Sequence, residues 1–444
     1  MTTVATGKAF AVWYKEVERW SVQALWLERV NRSQWPTTEL REVVSVRFEV
    51  VPIEEIDSGE TLLLDRVAFD EGRIYFGRRT QTQMVQYRAK LGDIVVSKIN
   101  ARKRAVGLVT TEADIGVTIH FRSLIPDKSK VVPMFLWMAL RSEFCRRQFE
   151  IETGGQGKGE ISEEGLLGIK IPLPAPSVQC MIVDYWQEAQ LEFDAKLDGL
   201  LEPVQLLNSR LTEAYRSACT RDVIHSRCFV VDFKDLSAWD VKSGQAASFR
   251  LACPSFRPMG DFIEDETELI HPAAEPDKDW PVYGVNNKEG VFLNSHQKGT
   301  TFNAPYKRIR KDWFFHNPTR CNVGSLGIVP DVPEDAITSP EYQVWRLKQD
   351  IPDPLLPGYV ACLIQTPFFL ELVQFNRVGA VKQRMYTENL MQVRIPYIPV
   401  SEQQKYADAR EKALAELADA KHRLNQARQE VEAMILGVKK IEVP

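Results

Sequence analysis

Ile171-Pro172-Leu173-Pro174-Ala175-Pro176-Ser177-Val178-Gln179 closes one stretch of the chain, and Ile395-Pro396-Tyr397-Ile398-Pro399-Val400-Ser401-Glu402-Gln403 closes another. In both places prolines end a strand and a long helical segment begins. From Trp186 the inward positions run Trp186, Gln190, Phe193, Leu197, Leu200, Val204, Leu207, Leu211 and Ala214. From Tyr406 they run Tyr406, Arg410, Ala413, Leu417, Ala420, Leu424, Ala427, Val431 and Met434. Steps of four and three in alternation are the seam of a coiled coil. One seam is bulky and the other is rich in alanine, so the two helices can nest together. Pro203 interrupts the first and predicts a kink. Thirty-odd residues at 1.5 Å each make a rod on the order of 50 Å, long enough to act as a spacer.

Working outward, the second half of the chain echoes the first at an offset of about 220 residues. Trp20-Ser21-Val22 has Trp239-Asp240-Val241 as its counterpart. Gly92-Asp93-Ile94, followed by a basic stretch and Gly107-Leu108-Val109, matches Lys311-Asp312-Trp313 through Gly327-Ile328-Val329. Leu140-Arg141-Ser142-Glu143-Phe144 corresponds to Ile364-Gln365-Thr366-Pro367-Phe368. The order of the matches predicts two tandem α/β (α+β) globular domains at 1–178 and 222–402. A central spacer helix at 179–221 and a C-terminal one at 403–444 would form an antiparallel coiled coil with a pseudo-twofold relation. Ile94-Val95-Val96 and Val106-Gly107-Leu108-Val109 read as short buried strands, and 133–149 as a helix with an apolar face.

The composition is that of a folded chain: 444 residues, 44% hydrophobic, 26% charged, net charge −4. Local charge is less even. Ten cations fall between Arg66 and Arg104, namely Arg66, Arg73, Arg78, Arg79, Arg88, Lys90, Lys98, Arg102, Lys103 and Arg104. Only Asp70, Glu71 and Asp93 oppose them, so the stretch is about +7 and can neutralise several phosphates. Interleaved Tyr75, Tyr87, Gln81, Gln83 and Asn100 supply stacking and base-edge contacts. The second half repeats the theme with Lys307, Arg308, Arg310 and Arg320 beside Tyr306, His316 and Asn317. A further pair of basic loops follows in register: Thr153 to Gly159, with Gln156 and Lys158, and Asn376 to Arg384, with Lys382, Gln383 and Arg384. Glycines there let the backbone approach a phosphate. The first spacer helix is instead acidic, with Asp184, Glu188, Glu192, Asp194, Asp198 and Glu202, and would face protein.

Chemistry is hard to find. Gly154 to Gly159 lacks the spacing of a phosphate-binding loop, the six histidines show no metal-ligand spacing, and Gly-x-Ser-x-Gly is absent. No catalytic, metal or cofactor site is expected. Seven cysteines without a C-x-x-C pair predict free thiols in a reducing cytoplasm. The start of the chain shows no signal-peptide pattern, and no run of about eighteen apolar residues occurs.

Gly92-Asp93-Ile94-Val95-Val96-Ser97-Lys98-Ile99-Asn100-Ala101-Arg102, the Thr153-Gly154-Gly155 loop with Ile161-Ser162 after it, and the Pro-rich entry to each helix resemble the specificity subunit of type I restriction–modification systems. In the second half Lys311 replaces the Gly, Trp313-Phe314-Phe315 the aliphatic run, and Met385-Tyr386 stands where Ile161-Ser162 does. The resemblance implies two target-recognition domains, each reading one half of a split, asymmetric DNA site for DNA methylation and phage defence. It implies double-stranded DNA and two adenine methyltransferase subunits as partners, and leaves open whether motor-nuclease subunits join. DNA contact would fall on Arg78, Arg79, Lys98, Asn100, Arg102, Lys103, Arg104, Gln156, Lys158, Lys307, Arg308, Arg310, Asn317, Arg320, Lys382, Gln383 and Arg384. Helix pairing and partner docking would fall on Trp186, Phe193, Leu197, Leu200, Val204, Leu207, Leu211, Leu417, Leu424 and Val431. A methylation-only complex and a coiled-coil scaffold without DNA remain open as alternatives, as does an enzyme with an unfamiliar site.

Overall fold

The computed structural model describes residues 32–439 apart from 78–81, 154–158, 227, 229, 237, 238, 380 and 381. Trp20-Ser21-Val22, Arg78, Arg79, Gln156 and Lys158 therefore lie outside the described residues. The chain divides into two compact units, residues 1–193 with 420–444, and residues 194–419.

In the first unit Ile94–Ser97 is a central strand, between Phe121–Pro126 and Val106–Leu108, with Val44–Arg47 at the edge, all antiparallel. Its apolar run is continuous because both faces are covered. Ile94 and Val96 face a core with Phe135, Leu136, Ala139 and Phe149 from the helices Pro133–Arg141 and Glu143–Glu152. Val95 faces the other way, into a smaller cluster with Ala89, Val109, Ile115 and Val117. Each fully buried Val, Leu, Ile or Phe side chain among these contributes about 1.5–3 kcal/mol. A second sheet runs in the order Ile74–Phe76, Leu62–Val67, Ile115–Val117, Tyr87–Ala89, its middle pair parallel. The strand Lys170–Pro172 pairs with Thr37–Glu39 before the chain enters the helix Pro176–Gly199.

The second unit repeats this wiring. Phe314–His316 lies between Gln343–Leu347 and Leu326–Ile328, with Ile263–Asp265 at the edge. Phe314 meets Ile328 and Trp345 as Ile94 meets Leu108 and Leu124. The second sheet runs Gly290–Lys298, Asp279–Asn286, Ile337–Thr338, Tyr306–Arg308, again with its second and third strands parallel, plus Leu269–Ile270. Arg394–Ile395 pairs with Arg257–Pro258 ahead of the helix Val400–Ile435.

This register corrects one sequence match by a residue. Gly92 (φ 88°) and Asp312 (φ 63°) share the left-handed position, each donating its N–H to the carbonyl of Val109 or Val329. Asp312, not Lys311, thus takes the place of Gly92, and Phe314-Phe315-His316 that of Ile94-Val95-Val96. Aspartate is among the few non-glycine residues that tolerate this conformation.

The glutamine after each Pro-rich string explains why those strings recur. Gln179 is fully buried, accepting from Val132 N at 2.8 Å and donating to the carbonyls of Pro174 and Lys130. Gln403 is its image, accepting from Leu356 N at 2.8 Å and donating to Ile398 and Pro354. Each clips the start of a long helix to the loop before the core helix of its own unit.

The central helical segment breaks after Gly199 and resumes as Glu202–Ala218, with Pro203 in the first turn where its missing N–H costs nothing. Within each unit the two long helices run antiparallel. In the first unit Tyr185 meets Glu430 and Glu192 meets Arg423; in the second Lys196 meets Glu416 and Arg210 meets Glu402. Val204, Leu207 and Leu211 pack into the globular core of the second unit, and Val431 into that of the first. Leu424 is buried, Trp186, Phe193, Leu200 and Leu417 are half-buried, and Leu197 is 45% exposed, out of the seam expected for it.

The expectation of seven free thiols is corrected. Cys219 and Cys253 form a disulfide between the ends of the helices Glu202–Ala218 and Val241–Ala252. A separation of 34 residues leaves no local motif to announce it. Among the described residues no single helix is long and apolar enough to cross a membrane. The bent pair Pro357–Leu363 and Pro367–Asn376 is apolar because it fills the second core.

Candidate nucleic-acid interface

The turn after each central strand is built by the same backbone bonds. In the first unit Lys103 N donates to Asn100 O, Arg104 N to Ala101 O, and Ala105 N to Asn100 O. In the second, Val323 N donates to Arg320 O, Gly324 N to Cys321 O, and Ser325 N to Arg320 O. Arg104 (φ 67°) and Gly324 (φ 87°) both close the turn in the left-handed region. Asn100 and Arg320 therefore occupy one structural position, Asn100 half-buried and Arg320 exposed.

Around the first turn, Lys103 is exposed and its ammonium lies 5.5 Å from the Phe69 ring, itself 46% exposed. Arg66 and Arg73 flank the Tyr75 ring at 4.7 and 5.9 Å. Arg104 pairs with Glu143 at 3.2 Å. Lys98 is pinned: its Nζ lies 2.6 Å from Glu160 Oε1, which His120 also approaches at 3.6 Å. Lys98 holds the Glu160 carboxyl below its ordinary range against a smaller opposing effect of burial. Arg102 is half-buried. The charge of the 66–104 stretch is not all available, because Arg88 is a buried hub between Glu49, Glu55 and Asp114 at 2.7, 2.8 and 2.5 Å. That arginine is a fold element.

The second unit spends more of its cations internally. Lys307 donates to Tyr342 O at 2.8 Å, and burial lowers its pKa. Arg308 and Arg310 both bind Glu268, at 2.5 and 2.9 Å. The Asn317 side-chain oxygen accepts from Thr319 N and Oγ1 at 3.0 and 2.8 Å. His316 is fully buried, one nitrogen 2.9 Å from Met385 O and the other accepting from Trp345 Nε1 at 3.2 Å. Burial drives its pKa down to about 4, so it is a neutral core residue. What gathers instead are Lys382, exposed, Arg384, half-buried, and a pair that sequence reading missed or left aside. Lys242 binds Gln383 Oε1, while Arg377 donates to the carbonyls of Gln383 at 2.8 Å and Thr319 at 3.3 Å. Burial, then Arg377, lowers the Lys242 pKa. A signal existed, since Lys242 lies in the first turn of the helix Val241–Ala252, where the helix dipole disfavours a cation. Phe69 was also missed, because an exposed aromatic is visible only in three dimensions.

Among the described residues no group of three or more His, Cys, Asp or Glu is placed to hold a metal ion. The chain matches no family profile and no curated protein. It is similar to several solved structures. One, from work on the assembly and conformational transition of a type I R-M system, is 13% identical, with 91% of this chain and 96% of that one covered at a TM-score of 0.41. The HsdS subunit from Thermoanaerobacter tengcongensis is 13% identical over 90% and 95%, at 0.31. The type I restriction–modification S subunit from M. genitalium is 14% identical over 93% and 98%, at 0.41.

Proposed function

We propose that the chain is the non-catalytic, sequence-reading subunit of a type I restriction–modification complex. Each unit grips one half of a bipartite, asymmetric DNA site, and the long helices set the interval and dock two adenine methyltransferase subunits. The observation that carries it is the shared turn: one backbone frame, with the same hydrogen bonds, presents asparagine in one unit and arginine in the other. Asparagine pairs bidentately with adenine and arginine with guanine in the major groove. Lys98, Arg102, Lys103 and Arg104 beside one frame, and Lys382 and Arg384 with Lys242 and Arg377 beside the other, supply phosphate contacts that fix register without reading sequence.

The test is deletion of the gene in its host, followed by long-read mapping of native modified adenines. One split motif with unlike halves should lose its methylation and regain it on complementation. An unchanged methylation map, together with no salt-dependent duplex binding by the full chain, would sink the proposal in favour of a scaffold.

A further inference from the structure

A cavity of about 260 Å³ opens in the first unit where the helix Pro133–Arg141 meets the last turns of the C-terminal helix. Trp137 and Trp186 line it, together with Arg104, Arg141 and Arg428. Each indole has a guanidinium beside it, Arg141 at 5.3 Å from Trp137 and Arg428 at 5.9 Å from Trp186. Arg141 is held by carbonyl oxygens alone, those of Arg104, Val106, Asp70 and Phe69, and has no ion pair among the described residues. Arg104 Nε is a buried donor with no hydrogen-bond partner among those residues. Burial, followed by repulsion from Arg104 and Arg428, brings the Arg141 pKa down to about 10, and Asp70 and Glu71 oppose this more weakly. Three carboxylates line the cavity beside its three guanidiniums, Glu432 at the helix N-terminus it caps through Glu143 N, and Asp70 and Glu71 exposed.

The duplicated unit shows that the fold does not require this corner. Glu432 and Asn208 both cap the N-terminus of a core helix, on Glu143 N and Phe368 N. Counting from the matched caps Ser142 and Thr366, Trp137 and Arg141 correspond to Ala361 and Gln365, and Arg104 corresponds to Gly324. One indole and two guanidiniums of this corner, Trp137, Arg141 and Arg104, are thus replaced next door by alanine, glutamine and glycine.

We propose that this cavity binds a nucleoside monophosphate. Indole faces stack a base, guanidinium forks take the phosphate, and carboxylates such as Asp70 and Glu71 accept ribose hydroxyls. A simple anion would leave both indoles unused, and a neutral nucleoside would leave Arg428 and the orphan Arg104 Nε unused. Of its residues only Arg104 is shared with the turn proposed to meet duplex DNA, so nucleotide binding by the others does not depend on that reading.

Calorimetry of the full chain with AMP, GMP, adenosine and inorganic phosphate tests it. AMP or GMP should bind once per chain with a Kd below about 1 mM, and adenosine and phosphate at least tenfold more weakly. Arg428→Ala, at an exposed position, should weaken nucleotide binding tenfold or more without moving the thermal melt, and Arg428→Lys should recover part of it. Lys288→Ala, at an exposed position in the second unit, should leave binding unchanged. Absence of heat from both nucleotides, equal binding of inorganic phosphate, or full binding by Arg428→Ala would each overturn the proposal.

Discussion

The turns at 97–105 and 317–325 share a backbone and differ in almost every side chain. In the first, Asn100, Arg102, Lys103 and Arg104 crowd the loop; in the second, Arg320 stands among Cys321, Asn322, Val323 and Gly324. The second unit moves its charge to neighbouring segments, Lys242, Arg377, Lys382 and Arg384, while Lys307, Arg308 and Arg310 are tied down. Hydrogen bonds and one left-handed residue fix the frame, so the side chains on it are free to diverge. That is the property a reader of two unlike half-sites needs.

The largest effect should come from stripping the first turn of charge. Lys98→Ala, Arg102→Ala and Arg104→Gly together should lower DNA affinity by on the order of a hundredfold at physiological salt. Adenine modification in cells, read by long-read sequencing, should fall to background. Glycine at 104 keeps the left-handed closure, so the chain should stay folded by circular dichroism. Wild-type modification would show that the two turns are alike in frame only.

The buried glutamines test whether the frames are held alike. Gln403→Leu strands Leu356 N and the carbonyls of Ile398 and Pro354, and should cost about 3 kcal/mol by urea denaturation. Gln179→Leu should cost a similar amount in the first unit. A large effect at one site and none at the other would break the equivalence.

His316 separates the units by pH, since Val96 stands at its position in the first. With its pKa near 4 against an ordinary 6.5, the unfolded chain binds more protons between these values. The contribution of the neutral imidazole is full above about pH 6.5 and is lost as pH falls toward 4, costing about 2 kcal/mol at pH 5. The unfolding transition of the second unit should shift accordingly between pH 7.5 and 5, and His316→Val should abolish that shift. Asn100→Ala and Arg320→Ala should each relax one half-site only, by about 1–3 kcal/mol of discrimination. Relaxation of the same half by both would contradict the pairing of these positions.

Duplication was legible because repeated local signals survive in sequence: a Pro-rich string before a glutamine, and heptad stepping after it. The apolar run Ile94-Val95-Val96 announced a doubly covered strand, and Pro203 announced the helix break. The one-residue slip at Lys311-Asp312 arose because a matching aspartate outweighed the backbone requirement that actually aligns Gly92 with Asp312. Charge was harder still, since sequence cannot tell a buried ion-pair hub such as Arg88 from a free cation such as Lys103. The Cys219–Cys253 link and the Lys242–Gln383 contact join segments 34 and 141 residues apart, beyond any local pattern.

The smallest predicted effect bears most directly on how the first turn is tuned. Glu160 holds Lys98 at 2.6 Å, and its side chain is 39% exposed, so the pair is screened by salt and contributes little to stability. Its consequence lies in binding, because a phosphate must compete with the carboxylate for Lys98. Glu160→Gln keeps the shape and removes the competitor. The dependence of log affinity on log salt should then steepen by about 1, the mark of one more neutralised phosphate. Affinity should rise a few-fold at low salt, and the gain should fade as salt is raised. Because Pro318 fills the position of Lys98 in the second unit, no counterpart variant exists there. An unchanged slope would mean that Lys98 stays on Glu160 in the complex, and that the first turn meets DNA through Arg102, Lys103 and Arg104.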